Sequence, residues 1–273
     1  MTFKEYDVDR EQVIADARQI LKRIVISGVD QEDARKVLEL AAEHKNFISV
    51  TLGLHPVHVE RKTDKEIEAY AELISKNRRK IVGIGEVGLD HHRVRDPLKL
   101  KRTREVFVEF LGLAKEFDLP VLLHLRGSGS GSGSGGSGSS STSSNVIEEG
   151  LKIIQDEDVK RAVFHCFTGK PKIAEIISDE GYYISLPTLI LRSKSMKNVA
   201  KRIPLSRLLT ETDAPYLSPD EEEERNLPQN VKIVYDEIAR QKRSDVETVE
   251  AEIERNFTRL FGDCIAQQEK NKL

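Results

Sequence analysis

Four residues of this chain can hold a cation or move a proton, and each closes a short apolar run. They are Glu86 after Ile81-Val82-Gly83-Ile84-Gly85, His124 after Val121-Leu122-Leu123, His165 after Ala162-Val163-Phe164, and Asp213 after Leu208-Leu209-Thr210-Glu211-Thr212. Imidazole nitrogens and carboxylate oxygens bind zinc, manganese or magnesium, and a bound cation turns water into a nucleophile at neutral pH. Glu86 brings two oxygens that can bridge two ions, and the glycines around it let backbone or ligand come close. Asp213 can take the proton of an attacking water or ligate a second ion. One glutamate after a strand is usually solvated, and one histidine at a strand end is often a satisfied core residue. Four such groups at four strand ends point instead to a metal site, with Glu86, His124, His165 and Asp213 as ligands and Glu86 and Asp213 as the catalytic carboxylates.

Further groups could meet a substrate. His55, in Gly53-Leu54-His55-Pro56, ends another run and is either a loop histidine stiffened by proline or a substrate contact. Arg126 is expected on the opposite side of its strand from His124 or in the following loop, where a guanidinium suits a phosphate; a surface arginine is the plain alternative. Thr168 and Gly169 could offer donors to an anion at the start of the next helix. Asp90 reads as a loop residue or one supporting the site from behind.

Such residues need a frame. Apolar runs at Arg23 to Val29, Phe47 to Leu54, Ile81 to Glu86, Val121 to His124, Arg161 to Phe167, Tyr182 to Leu186 and Leu208 to Asp213 read as strands buried on both faces. About eight helical patterns alternate with them, the first capped by Asp9 with Gln12 as capping-box partner, the second capped by Asp30. Strand and helix in alternation predict an α/β fold, a TIM (β/α)8-type barrel in one domain over residues 1–273. Only seven strands are recognisable, and the one expected ahead of the first helix is missing, since Met1 to Tyr6 is too short and polar to be a buried strand.

Composition sets outer limits. A formal charge of −3 and a pI near 6.2 give no global basic field for nucleic acid or anionic lipid, so phosphate binding must be local. No long apolar run or leader is visible, and Cys166 and Cys264 have no metal-knuckle spacing, so a reducing cytoplasm is expected. Residues 127–144 contain only Gly, Ser and one Thr. The tract reads as a flexible spacer, engineered or low-complexity, spanning roughly 20 to 25 Å and leaving directly from the His124 and Arg126 strand.

With these residues in view, the chain resembles the TatD family of metal-dependent deoxyribonucleases within the amidohydrolase-like TIM barrels. The resemblance is carried by Gly53-Leu54-His55-Pro56, Gly85-Glu86-Val87-Gly88-Leu89-Asp90, Leu119 to His124 with Arg126, His165-Cys166-Phe167-Thr168-Gly169, Thr210 to Tyr216 and Asn256 to Phe261, in order over nearly the whole chain outside the tract. It implies that Glu86 bridges two divalent ions (Mg, Mn or Zn), that His124 and His165 complete one shell and that Asp213 serves the other. It implies DNA or another phosphodiester as substrate; His55, Asp90, Arg126 and Thr168 are the residues expected on the substrate side. The family's His-x-His pair has no counterpart here, so one metal site is expected and a second is weakened. Three readings follow: a metal-dependent phosphodiesterase acting on DNA, a hydrolase of amide or ester bonds on the same barrel, or a weakened or engineered barrel kept as a scaffold. The absent pair and the tract favour the last; the four strand-end residues oppose it.

Overall fold

In the computed structural model, seven strands form among the described residues, which are 1–128, 140–220, 222–223 and 225–270. They are β1 (Ile24–Gly28), β2 (Ile48–Leu52), β3 (Gly83–Asp90), β4 (Val121–Arg126), β5 (Ala162–Phe164), β6 (Tyr183–Leu186) and β7 (Leu208–Thr210). The helices between them are α1 (Arg10–Ile20), α2 (Gln31–Glu43), α3 (Pro56–Val59), α4 (Asp64–Asn77), α5 (Pro97–Glu116), α6 (Ser140–Asp156), α7 (Pro171–Asp179), α8 (Lys194–Arg202), α9 (Val231–Lys242) and α10 (Val246–Lys270). Every expected strand forms, but only β6 ends where expected, and four of the differences bear on the candidate residues. β3 runs through Glu86 to Asp90 and β4 through His124 to Arg126, whereas β5 stops before His165 and β7 before Asp213. Two candidate ligands are therefore strand residues and two lie in the segments that follow strands.

The chain falls into two compact units, one of residues 25–164 and 260–273 and the other of residues 1–24 and 165–259. In the former, β2 pairs with β3, β3 with β4 and β4 with β5, all parallel. All five residues of β2 are buried, as expected of a parallel strand covered on both faces. Ile67, Tyr70 and Ile74 of α4, and Phe107, Phe110, Leu111 and Ala114 of α5, form the buried stripes that the helical spacing predicts. Asp30 caps α2 as expected, accepting from the Glu32 and Asp33 amides at 3.0 Å each. α6 begins at Ser140, within the Gly/Ser tract; serine costs only about 0.5 kcal/mol against alanine in a helix, and buried Val146, Ile147, Leu151 and Ile154 anchor the segment. The flexible spacer expected over 127–144 otherwise falls, for residues 129–139, outside the described residues.

In the other unit β6 pairs with β7 in parallel, Ile184 opposite Leu208. The α1 start departs from expectation. Asp9 is its N-cap residue but makes no side-chain cap bond, because Arg225 engages both carboxylate oxygens. Gln12 likewise turns to Asp16 at 2.8 Å. A bidentate guanidinium outbids one neutral amide for a carboxylate. Val13, Ile14 and Ala17 are buried, while Ile20, the last residue of α1, is 48% exposed. Asn256 on α10 is fully buried and donates to the Leu205 and Leu208 carbonyls at 2.8 and 2.9 Å, fixing the start of β7.

Candidate metal centre

β3 carries an irregularity where the chemistry sits. Ile84 pairs with Val121 and Val87 with Leu123, so three steps on β3 match two on β4 and the register shifts around Glu86. A bulge of this kind re-aims one side chain without disturbing the rest of the strand. Gly88 makes the close packing possible: its φ is 144°, and a Cβ there would stand 2.1 Å from the His124 carbonyl oxygen. Glu86 and His124 thus face one another from adjacent strands, each about one-sixth exposed, with His124 Nδ1 3.7 Å from Glu86 Oε2.

His124 is held from behind. Its Nε2 lies 3.2 Å from Asp90 Oδ2, and Asp90 Oδ1 accepts from the His92 and Arg93 amides at 3.0 and 2.8 Å. Asp90 is 1% exposed, and both its oxygens are engaged, so it presents no surface to a substrate and serves instead to orient His124. Burial alone would raise the Asp90 pKa, but the bond and charge of His124, the Arg93 amide and Arg126 outweigh it and hold the carboxyl at about 2. For His124 itself burial disfavours the charged form, yet Asp90 and Glu86 together lift its pKa above the ordinary value.

His55 completes a cluster. Its Nε2 is 3.2 Å from His124 Nδ1 and 3.9 Å from Glu86 Oε2, and its Nδ1 lies 3.3 Å from the Val57 amide at the start of α3. Burial first, then the charge of His124, pushes its pKa down to about 3, so the ring is neutral. An amide donor at Nδ1 leaves the ring proton on Nε2. With both rings neutral the bonds run one way: Val57 N–H to His55, His55 Nε2–H to His124 Nδ1, His124 Nε2–H to Asp90.

The donor set fits a divalent ion. The ligand atoms of His55, Glu86 and His124 lie within 4.8 Å of one another, and donors on a tetrahedron of zinc-type bonds stand about 3.3 Å apart. With its proton on Nε2, His55 is a donor here, whereas Glu86 Oε2 and His124 Nδ1 could each offer a lone pair to a cation. Arg126, last in β4 and two residues from His124, shares its side of the strand rather than facing away.

The other unit holds a second group. His165 Nδ1 is 2.7 Å from Glu211 Oε2, and its Nε2 is 3.7 Å from Asp213 Oδ1. Cys166 and Asp213 have φ of 45° and 56°, a region that costs a non-glycine residue on the order of 1 kcal/mol. Glu211 had no expected role: it lies past the end of β7, and its bond to His165 joins residues 46 apart. One oxygen of Glu211 is buried with no hydrogen-bond partner among the described residues. Thr168 is half-buried and does not start the next helix: α7 begins at Pro171 with Lys170 at its cap, so Thr168 and Gly169 lie ahead of the first turn.

Comparison with known proteins adds ancestry. The profile of the family described as TatD related DNase matches residues 1–262. An uncharacterized metal-dependent hydrolase of Methanocaldococcus jannaschii is 35% identical over 258 residues, covering 94% of this chain and 92% of that protein. The 3'-5' ssDNA/RNA exonuclease TatD of Pantoea ananatis is 28% identical over 272 residues, with 96% of each chain covered. Among solved structures, the TatD homolog YJJV of Escherichia coli matches with a TM-score of 0.81 at 26% identity, over 95% of this chain and 94% of that one. The parallel strands alternating with helices are accordingly those of a TIM-like α/β fold. No helix among the described residues is long and apolar enough to cross a membrane.

Proposed function

Because the chain belongs to the TatD related DNase family of metal-dependent hydrolases, we propose that it hydrolyses phosphodiester bonds in DNA with a divalent cation. The observation that carries this reading is the Glu86 and His124 donor pair, oriented by the β3 bulge and by Asp90. Following the family resemblance, we assign Glu86, His124 and His165 as ligands of one ion, and Glu86 with Asp213 to a second, weaker position. When bound, such an ion supplies positive charge beside a phosphoryl oxygen and activates a water.

The chain's own residues do the rest. Glu86 contributes negative charge to the ion's shell. Asp90 fixes the His124 tautomer so that Nδ1 offers its lone pair. His55, neutral and carrying its proton on Nε2, donates to a phosphoryl oxygen. Arg126 gives a planar fork for a second phosphate. Asp213 accepts the proton of the attacking water, and Glu211 orients His165 through its Nδ1. Thr168 stays on the substrate side as a hydroxyl donor. The location we assign is cytoplasmic.

The test is digestion of a single-stranded oligonucleotide with added Mg2+ or Mn2+. Ion-dependent cleavage is expected, and Glu86→Gln or His124→Ala should lower it at least about 100-fold. Cleavage that ignores the ion, or turnover of esters or amides in place of DNA, overturns the proposal.

A further inference from the structure

The segment carrying Asp213 is held by a buried side chain distant in sequence from most of what it touches. Asn226 is fully buried. Its Nδ2 donates to the Thr212 carbonyl at 2.8 Å, to the Leu217 carbonyl at 3.0 Å and to Thr188 Oγ1 at 3.1 Å. Its backbone N–H donates to the Pro215 carbonyl at 2.8 Å. Three of these four bonds grip the stretch from Thr212 to Leu217, at the residue before Asp213 and at two after it. That stretch needs gripping, because Asp213 and Leu217 both hold left-handed backbone, at φ of 56° and 55°. Its internal bond from the Tyr216 amide to the Asp213 carbonyl, at 2.9 Å, closes a single turn.

Asn226 is itself fixed. Its Oδ1 accepts from the Leu227 amide and from Asn230 Nδ2 at 2.9 Å each, which orients the amide group without ambiguity. Its carbonyl accepts from the hydroxyl of Tyr6, another fully buried residue, at 2.7 Å. Arg225 lies 4.8 Å from the Tyr6 ring centroid and grips Asp9 with both terminal nitrogens. Every polar atom of Asn226 is therefore used, and its two donor hydrogens serve the Asp213 segment and the Thr188 hydroxyl, which in turn donates to Leu217. A residue needed only to fill space would not require an amide; an apolar side chain of that volume would cost less to bury.

We infer that Asn226 is a positioning residue for Asp213: it holds residues 212–217 in the backbone conformation that presents the carboxylate. The inference rests on the role proposed above for Asp213, but its structural half stands apart from activity. Asn256→Ala is the control, since Asn256 is equally buried and grips carbonyls at the opposite end of β7.

The experiment compares wild type, Asn226→Ala and Asn256→Ala, well below their melting temperatures, by amide hydrogen exchange and by oligonucleotide hydrolysis with Mn2+. In Asn226→Ala, exchange at Ala214 and Tyr216 should quicken about tenfold or more, as expected when a locally opened segment loses roughly 1.4 kcal/mol or more. Exchange at Leu209 should stay unchanged. kcat per folded molecule should fall at least tenfold with KM within twofold. Asn256→Ala should lose melting temperature while keeping its kcat. If Asn226→Ala does not fold, Tyr6→Phe removes one bond of the network and Thr188→Val removes two, and both should quicken exchange at the same two amides. Unchanged exchange at Ala214 and Tyr216, or kcat per folded molecule within twofold of wild type, overturns the inference. Wild-type protein inert toward DNA with every ion tried defeats the functional reading instead, and the exchange measurements then still decide whether Asn226 holds the segment.

Discussion

Replacing Asp90 by asparagine tests the tautomer argument with almost no change of shape. The new side chain keeps an oxygen for the His92 and Arg93 amides, now bonded at 3.0 and 2.8 Å. At the other position it puts an NH2 group against His124 Nε2, where a carboxylate oxygen now sits at 3.2 Å. Two donors cannot face one another, so the His124 proton moves to Nδ1, the atom assigned to the cation. Loss of an outer partner of this kind costs about 10- to 100-fold in metal affinity, or roughly 1.4 to 2.7 kcal/mol. Calorimetric titration with Mn2+ at neutral pH should show that drop in Asp90→Asn, while long-range nitrogen–proton NMR should show the His124 proton on Nδ1. The fold should survive, losing about 1 to 3 kcal/mol for the charged bond. Affinity within twofold of wild type, with the proton still on Nε2, would refute the assignment of Nδ1 as ligand and of Asp90 as the group that orients it.

Other expectations follow from the same geometry. Gly88→Ala must place a methyl group 2.1 Å from the His124 carbonyl at a φ of 144°, so thermal unfolding should show a loss of about 3 kcal/mol or more and Mn2+ affinity should fall with it. His124→Ala should abolish tight Mn2+ binding, measured by metal content after dialysis. Metal affinity should weaken as pH falls, beginning above the ordinary histidine range, because Asp90 and Glu86 raise the pKa of His124 and protons compete for Nδ1; titrations over a pH series check the slope. Glu237, 7% exposed, has its pKa lowered although burial opposes it, through bonds from Arg240 and Gln241. Its contribution to stability is complete above the ordinary glutamate value and lost as pH falls through the depressed one, so Glu237→Gln should flatten urea stability over that acid window.

Much of this was legible in the chain, and the omissions have physical causes. Seven strands could be read because strands covered on both faces are written as unbroken apolar runs, β2 most plainly. The candidate residues and the family followed from the same runs and their flanking motifs. The β3 bulge left no mark of its own, since register is a relation between two strands and Gly85 to Gly88 shows only that close packing is allowed. Asp9 was read as a cap from its neighbours, but its partner Arg225 lies 216 residues away. Asn226 escaped notice for a related reason: its turn-like setting gives no local hint of bonds to Thr188, 38 residues back. Glu211, past the end of β7, carries no local mark of its bond to His165, 46 residues away. Arg126 is placed by strand alternation, two residues from His124 and on the same side of β4.

The hydrogen bond between His55 and His124 has a consequence for the order of events. The lone pair on His124 Nδ1 can accept from His55, at 3.2 Å, or bind a cation, but it cannot do both. On the assignment proposed above, an ion held at Nδ1 would free the His55 N–H for a new acceptor. Ion and phosphodiester would then be linked through one imidazole, each improving the binding of the other by the same factor, and without an ion the His55 donor would stay occupied.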